Sequence, residues 1–274
     1  MNNLRPLILM PLCLALLVSL FTHPLPADAK WGFPQATKAL QATPQQTPAK
    51  ATPLLSPKEE AVVLYNEGVR LFQASQDNST QSIGDTYRLR QDAKKAFNNA
   101  LKLNPELVEA HSNLGYIELA ESHAKKAVPY FEKAVALNAK HEASVAGLAI
   151  ALNESGNPSR AIELLTSLTK WYPEHERHWF NLGTIFQQEA RNEDAIDAYK
   201  NALLVNPKHP PTFFNLATLY HESKQAQAAW TYYERCIQMD PGSALALQSQ
   251  NRILQLEKSF PDVINSKPPI EEKR

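Results

Sequence analysis

Two closely spaced histidines are the residues whose types come nearest to a chemical motif. His175 and His178 stand three residues apart, and Glu174 and Glu176 flank the first of them. Imidazole and carboxylate groups together bind zinc and other transition ions. A metalloprotease helix, however, has its histidines four residues apart with a glutamate beside the first. The spacing here is therefore weak evidence for a metal site.

His175 also belongs to a series of histidines at 34-residue intervals, with His141 before it and His209 after it. Equivalent places in packed helical units lie about 10 Å apart, whereas a zinc–nitrogen bond is about 2 Å long. One ion cannot join such a series. We expect these histidines to be solvated turn residues, and we predict neither a metal nor a cofactor.

Catalytic nucleophile motifs are absent from the sequence. It contains no Gly-x-Ser-x-Gly, no Cys-x-x-Cys and no glycine-rich loop between a strand and a helix. Cys236 lies at a small apolar position of a helical pattern, where cysteine usually acts as a small hydrophobic residue. We therefore predict a protein that is not an enzyme. A stoichiometric metal site at His175 and His178 would favour the alternative, an enzyme with its site in a groove.

The charge of the chain excludes one class of partner. Lys and Arg together number 28, as do Asp and Glu, and no dense basic run occurs among the 274 residues. A neutral chain without a basic patch lacks the electrostatic footprint of a nucleic-acid-binding protein. We therefore expect no nucleic acid.

Residues 1–29 have the pattern of a secretory signal peptide. One basic residue, Arg5, precedes an apolar run from Leu7 to Phe21, and small residues stand at Ala27 and Ala29. A retained membrane anchor is the alternative, but a bilayer span takes about 20 residues and this run is shorter. We expect an exported protein, periplasmic or secreted, with no stable membrane span after cleavage.

Residues 30–58 differ from the rest of the chain in being rich in Pro, Gln and Thr. Such a composition buries too little apolar area to offset the entropy of ordering, and proline disfavours helix. We predict a disordered linker here, and a flexible tail at 259–274, where Pro261, Pro268 and Pro269 recur.

The part between them repeats itself every 34 residues. Each unit has a small residue, a large one four residues later, a small one three further on, and in most units a proline five beyond that. The first of these positions is held by Ala93, Ala127, Ala161, Ala195 and Ala229, and the large one by Phe97, Phe131, Leu165, Tyr199 and Tyr233. This spacing predicts a helix face approached closely by another helix, which proline then ends.

The first half of each unit carries a second helical pattern, in which a large residue precedes a very small one. Examples are Leu114-Gly115, Leu148-Ala149, Leu182-Gly183 and Leu216-Ala217. A turn such as Gly156-Asn157-Pro158 separates the two helices of a unit. Each unit is thus predicted to be two antiparallel helices.

These positions resemble the tetratricopeptide repeat (TPR) family, which has a 34-residue helix-turn-helix unit. The fourth unit fits best, through Trp179, Leu182, Gly183, Phe186, Ala195, Tyr199, Ala202 and Pro207. The resemblance implies an all-α, right-handed superhelical solenoid over 59–258. Its five repeats would be 61–107, 108–141, 142–175, 176–209 and 210–243, followed by a capping helix at 244–258.

Two departures from the family pattern occur in the first repeats. Repeat 1 carries about 13 extra residues around Ser75 to Tyr87, with the turn-forming series from Asp77 to Thr80 inside. Repeat 2 has Glu118 at a place that is normally apolar, and Ala139 where a proline normally ends the repeat.

The expected functional surface is the concave face, which the first helices line in the resembled family. Asn recurs at one first-helix position, as Asn66, Asn113, Asn181 and Asn215, and can hydrogen-bond the backbone of an extended ligand. Nearby aromatic residues are Tyr65, Tyr116, Phe180 and Phe214, and the main basic residue is Arg177. We expect this set to be exposed in the groove. The alternative is that the aromatic residues pack between repeats.

The sequence therefore predicts a non-enzymatic scaffold that binds a peptide or partner protein in its groove during assembly of an envelope or secreted complex. Some family members bind chaperone C-termini through a clamp of Lys, Arg and Asn, and this chain has almost no Lys there. A self-associating structural component, working as a homo-oligomer, is the alternative function.

Overall fold

A computed structural model describes residues 55–77 and 82–261. Within these residues it contains eleven α-helices and no strand, which confirms the predicted all-α fold class. The predicted signal peptide, most of the predicted linker and residues 262–274 of the predicted tail lie outside the described residues. The helices are α1 Pro57–Ala74, α2 Ile83–Leu103, α3 Val108–Ala120, α4 Ala124–Leu137, α5 Glu142–Glu154, α6 Pro158–Trp171, α7 Glu176–Gln188, α8 Asn192–Val205, α9 Pro210–Glu222, α10 Ala226–Met239 and α11 Ala244–Ser259.

Helices pack in sequential pairs, one pair per repeat. Each odd-numbered helix from α1 to α9 packs on the helix that follows it, and each second helix then packs on the next repeat. The large residues of the second helices are fully buried, from Phe97 in α2 to Tyr233 in α10. The 34-residue pattern thus places a buried ring or Leu165 at the centre of every repeat.

Local sequence sets the helix ends, as repeat 3 illustrates. Gly156 has a φ of 94°, a left-handed conformation that glycine adopts without steric cost. The Asn157 side chain then accepts a hydrogen bond from the Arg160 backbone amide, and Pro158 occupies the first turn of α6. Three residues therefore reverse the chain between α5 and α6.

The insertion predicted around Ser75 to Tyr87 in repeat 1 is partly helical. α2 begins at Ile83, ten residues before Ala93, whereas α4 begins at Ala124, three residues before the equivalent Ala127. Part of the extra sequence therefore adds about two turns to the N-terminus of α2. The Ser82 hydroxyl accepts a hydrogen bond from the Asp85 backbone amide and caps this extension.

First helices of successive repeats contact one another along one side of the stack. α1 contacts α3, α3 contacts α5, and α9 contacts α11. Second helices are not in comparable contact anywhere in the described ranges. The first helices therefore lie on the inner side of the curve. None of the helices described is long and apolar enough to cross a membrane.

Candidate partner-binding groove

The recurring asparagines differ in their accessibility. Asn66 is exposed and Asn113 is half-buried, but Asn181 and Asn215 keep only 7% and 6% of their surface accessible. The expectation that all four face the groove is therefore wrong for Asn181 and Asn215. Their register places them at the junction between repeats, under the side chains of the neighbouring helix.

Two of the asparagines at this register bond to a tyrosine of the preceding repeat. Asn215 Nδ2 donates to the Tyr199 hydroxyl at 2.9 Å, and Asn113 Nδ2 donates to the Tyr65 hydroxyl at 3.3 Å. Tyr199 in turn donates to Gln187 Oε1 at 2.9 Å, and burial raises the pKa of its hydroxyl. These amides hold adjacent repeats together, because a buried amide without a partner costs about 1–3 kcal/mol.

The four aromatic residues of the predicted site also pack between helices. Phe180 and Phe214 are 4% and 6% exposed, and their ring centroids lie 5.7 Å from those of Tyr199 and Tyr233, respectively. The expectation of exposed groove aromatics is therefore wrong for Phe180 and Phe214, and these two ring contacts lie within a repeat, between its two helices. The physical reason is that the buried rings of Tyr199 and Tyr233, on the second helices, pack against an apolar ring from the first helix.

Tyr65 and Tyr116 are half-buried and also make specific contacts. The Tyr65 ring centroid lies 5.7 Å from that of Phe97. Tyr116 donates a 2.6 Å hydrogen bond to the Ala143 carbonyl oxygen, and its ring meets the edge of Phe131 at 5.0 Å. Burial raises the pKa of the Tyr116 hydroxyl to about 12. Tyr116 therefore joins repeats 2 and 3.

Several first helices keep accessible polar residues. Asn153 Nδ2, at the end of α5, donates to Gln188 Oε1, at the end of α7, at 2.8 Å. Gln188 is exposed and Asn153 is half-buried, and the exposed Asn66 and Arg177 lie on other first helices. We call Asn153 and Gln188 the amide pair. Sequence analysis missed it because the two residues fall at different positions of their repeats, although both are polar residues ending largely apolar helices.

An ion-paired cluster explains why repeat 2 has Glu118 at a place that is normally apolar. Lys94 Nζ lies 2.7 Å from both Glu118 Oε1 and Glu121 Oε2, and all three side chains are largely buried. Burial opposes the charge of Lys94, but hydrogen bonds to the two carboxylates outweigh it and raise the pKa of the ammonium. Glu118 is therefore the charge partner of the extended helix α2.

The burial of the cysteine agrees with the prediction from the sequence, and the burial of the histidines agrees with it only in part. Cys236 is fully buried, and burial raises the pKa of its thiol, which leaves it a poor nucleophile. His141, His175 and His209 are half-buried turn residues, but His178 is 2% exposed and is not a solvated turn residue. The reason is that His178 lies inside the first turn of α7, facing repeat 3.

Comparisons with known proteins agree with this architecture. Three models of the tetratricopeptide repeat match residues 88–142, 118–182, and 177–209 with 210–243. Together they span more than half of the chain. The chain belongs to the tetratricopeptide repeat family. The resemblance given by the 34-residue register is thereby confirmed.

Solved TPR structures share the fold at low sequence identity. PilF of Pseudomonas aeruginosa is 20% identical, with a TM-score of 0.58 over 76% of this chain and 95% of that one. MamA is 17% identical, with a TM-score of 0.56 over 67% of this chain and 93% of that one. YrrB, described as a TPR protein with an unusual peptide-binding site, is 18% identical, with a TM-score of 0.51 over 66% and 97% of the two chains. No curated protein sequence matches the chain.

Proposed function

We propose that this protein is a non-enzymatic scaffold that holds an extended segment of a partner protein against its concave face. The observation that carries the proposal is the amide pair, Asn153 and Gln188, at the accessible ends of two adjacent first helices. Each amide offers a donor and an acceptor, so the pair can bond the backbone of a ligand without requiring a particular side chain. YrrB, a protein of the same fold, has a peptide-binding site.

The charge of the accessible groove narrows the chemistry of the partner. Asn66 and the amide pair are uncharged, and Arg177 supplies a positive charge in repeat 4. A single guanidinium suits one carboxylate rather than a chain of them. The preferred ligand is therefore an extended, mostly neutral segment with one acidic group.

Affinity capture with paired variants tests the proposal. The full-length protein and a variant with Asn153→Ala and Gln188→Ala would each be used as bait in extracts of the native cells. The matched control is Asn98→Ala with Asn99→Ala, since both amides are exposed on the second helix α2. Asn181 and Phe214 are unsuitable targets because they are buried.

The expected result is one protein retained by the wild type and the control but lost by the amide-pair variant. A peptide from the region of contact should then bind the amide-pair variant at least about tenfold more weakly, which is the loss of about 1.4 kcal/mol expected for one or two hydrogen bonds. Equal capture by all three baits, with equal thermal stability, would refute groove binding.

The same proposal places the protein outside the cytoplasm, in an envelope or secreted complex. Its support is the pattern of residues 1–29, with an apolar run followed by Ala27 and Ala29. Cell fractionation followed by N-terminal sequencing tests this, with Lys30 as the expected first residue. A cytoplasmic protein that retains Met1 would refute export.

Self-association is a second candidate, favoured by apolar side chains at both ends of the stack. Val62 and Val63 on α1 are 48% and 55% exposed, and Leu247 and Leu254 on α11 are 61% and 54% exposed. Such surface can be buried by a second copy of the chain. Light scattering over a range of concentrations tests this, and a strict monomer at the highest concentration would exclude it.

A further inference from the structure

A cluster of two imidazoles and one carboxylate bridges repeats 3 and 4. Glu142 begins α5, His175 lies in the turn between the repeats, and His178 lies in the first turn of α7. Glu142 Oε1 stands 2.6 Å from His175 Nδ1 and 2.8 Å from His178 Nε2. One potential ligand atom from each residue lies within 4.8 Å of the other two. Three separate chain segments therefore converge on one point.

The two neighbouring junctions have the same turn histidine but a different partner for it. His141 Nδ1 bonds to Ser144 Oγ, and His209 Nδ1 bonds to Thr212 Oγ1, each at 2.6 Å. Both hydroxyl residues are fully buried, at the register that His178 occupies in repeat 4. A small hydroxyl thus takes the place of the His178 ring at these two junctions.

The imidazole of His178 is not explained by packing alone. It is 2% exposed, and its Nδ1 has no hydrogen-bond partner, so its only polar interaction is through Nε2 with Glu142. Serine or threonine fills the equivalent place with its hydroxyl bonded. An incompletely satisfied buried ring is a poor choice for stability, and its one bonded nitrogen, Nε2, is the atom that points into the cluster.

We propose that Glu142, His175 and His178 form a binding site for a divalent transition-metal ion, with Zn²⁺ as the representative. Two imidazole nitrogens and one carboxylate oxygen are a known zinc ligand set, and such sites keep a fourth position for water or another ligand. Ligand atoms on a tetrahedral zinc ion stand roughly 3.3 Å apart, since each bond is about 2 Å long. The two contacts of Glu142 need to widen by less than an ångström to admit the ion.

Tyr172 packs against the site, and two of the three proposed ligand residues are accessible to solvent. The Tyr172 ring stacks on His175 at 5.8 Å with an interplanar angle of 12°, and its hydroxyl bonds to the Lys140 carbonyl oxygen at 2.9 Å. The His175 and Glu142 side chains are 43% and 34% exposed, so an ion can enter from solvent.

The sequence-based prediction rejected a metal here on two grounds: the three-residue spacing of His175 and His178 is weak evidence for a metal site, and histidines at 34-residue spacing cannot share one ion. The structure supplies the third group, Glu142, from a position that lies 33 residues before His175. A bound ion would fix repeat 3 to repeat 4 through all three residues. This role is structural and independent of the amide pair, so the proposed metal site joins two repeats and is not proposed as the site of an enzyme.

Zinc titration of the full-length, chelator-treated protein tests the proposal. Isothermal calorimetry near neutral pH should give one Zn²⁺ per chain, and Co²⁺ should give visible ligand-field absorption. The variants are Glu142→Gln and His178→Thr, the second of which copies the residue found at Thr212. The control is His209→Gln, which removes the turn histidine of the next junction.

Glu142→Gln and His178→Thr should each weaken zinc binding at least about tenfold, since even indirect partners of metal ligands cost 10–100-fold. The control should bind as the wild type does, and all variants should keep wild-type helicity without metal. Absence of saturable binding to the wild type would overturn the proposal. Binding that survives both variants but is lost in His123→Gln would also overturn it, by placing the ion at Glu118, Glu121 and His123 instead.

Discussion

Replacing Gly147 by alanine tests how tightly repeats 2 and 3 pack. A Cβ atom built on Gly147 would lie 2.3 Å from Phe131 Cε1 and 2.4 Å from Cζ. The ring cannot move away, because its opposite edge lies 2.8 Å from the Cβ position of Gly115. Phe131 is fully buried between the two glycines. The position therefore has no space for even one methyl group.

Two effects of opposite sign set the change in the free energy of unfolding that Gly147→Ala causes. Alanine improves helix propensity by about 1 kcal/mol over glycine. Overpacking a core typically costs about 1–3 kcal/mol, and the trapped ring of Phe131 places this case at the upper end. We expect Gly147→Ala to lower the free energy of unfolding by about 1–2 kcal/mol. Urea unfolding followed by circular dichroism measures it.

A control and a rescue isolate the steric cause. Gly84→Ala lies in the exposed first turn of α2, where the nearest heavy atom would be Ser82 Oγ at 3.7 Å, and should stabilise by about 0.4–1 kcal/mol. Phe131→Leu copies the residue at Leu165, so in that background Gly147→Ala should cost at least about 1 kcal/mol less. If Gly147→Ala stabilises the wild type as Gly84→Ala does, the steric argument is wrong.

Three further predictions concern buried polar groups, each measured by urea unfolding. Tyr199→Phe should cost about 1–3 kcal/mol, because it leaves the buried amide of Asn215 without its partner; an unchanged midpoint would contradict this. Lys94→Met should cost about 3 kcal/mol by removing the ammonium that contacts both largely buried glutamates. Adding Glu118→Gln to Lys94→Met should recover about 1 kcal/mol or more of that deficit, and an unchanged deficit would refute the electrostatic cause. The Tyr116 hydroxyl has a pKa of about 12 in the folded state and about 10 when unfolded, so its contribution is complete below pH 10 and is lost as the pH rises towards 12. The loss is up to about 2–3 kcal/mol, and Tyr116→Phe should show a smaller decline over this range; an equal decline would exclude Tyr116 as the source.

The repeat architecture could be read from the sequence because its signal is local and recurs. Five alanines at 34-residue intervals, each followed four residues later by a large side chain, define the buried face of every second helix. Any one unit would be ambiguous, but a fixed register over five units leaves little freedom for another fold.

Exposure within that register could not be read in the same way. Asn66 and Asn215 occupy equivalent positions, yet the first is exposed and the second is buried. The difference comes from the neighbours: Asn66 lies in the first repeat of the described residues, whereas Asn215 packs on Tyr199 of repeat 4. Burial at a junction depends on two repeats together, and the pattern of one repeat does not contain it.

Sequence alone determined the helices, their pairing and the lack of known catalytic motifs, because these follow from periodicity and residue type. Tertiary structure decided which polar groups meet. Glu142 joins His175 and His178, Lys94 lies between two glutamates, and Asn153 meets Gln188. The residues of each cluster come from different helices or repeats, and only the packing angle between successive helix pairs brings them within bonding distance.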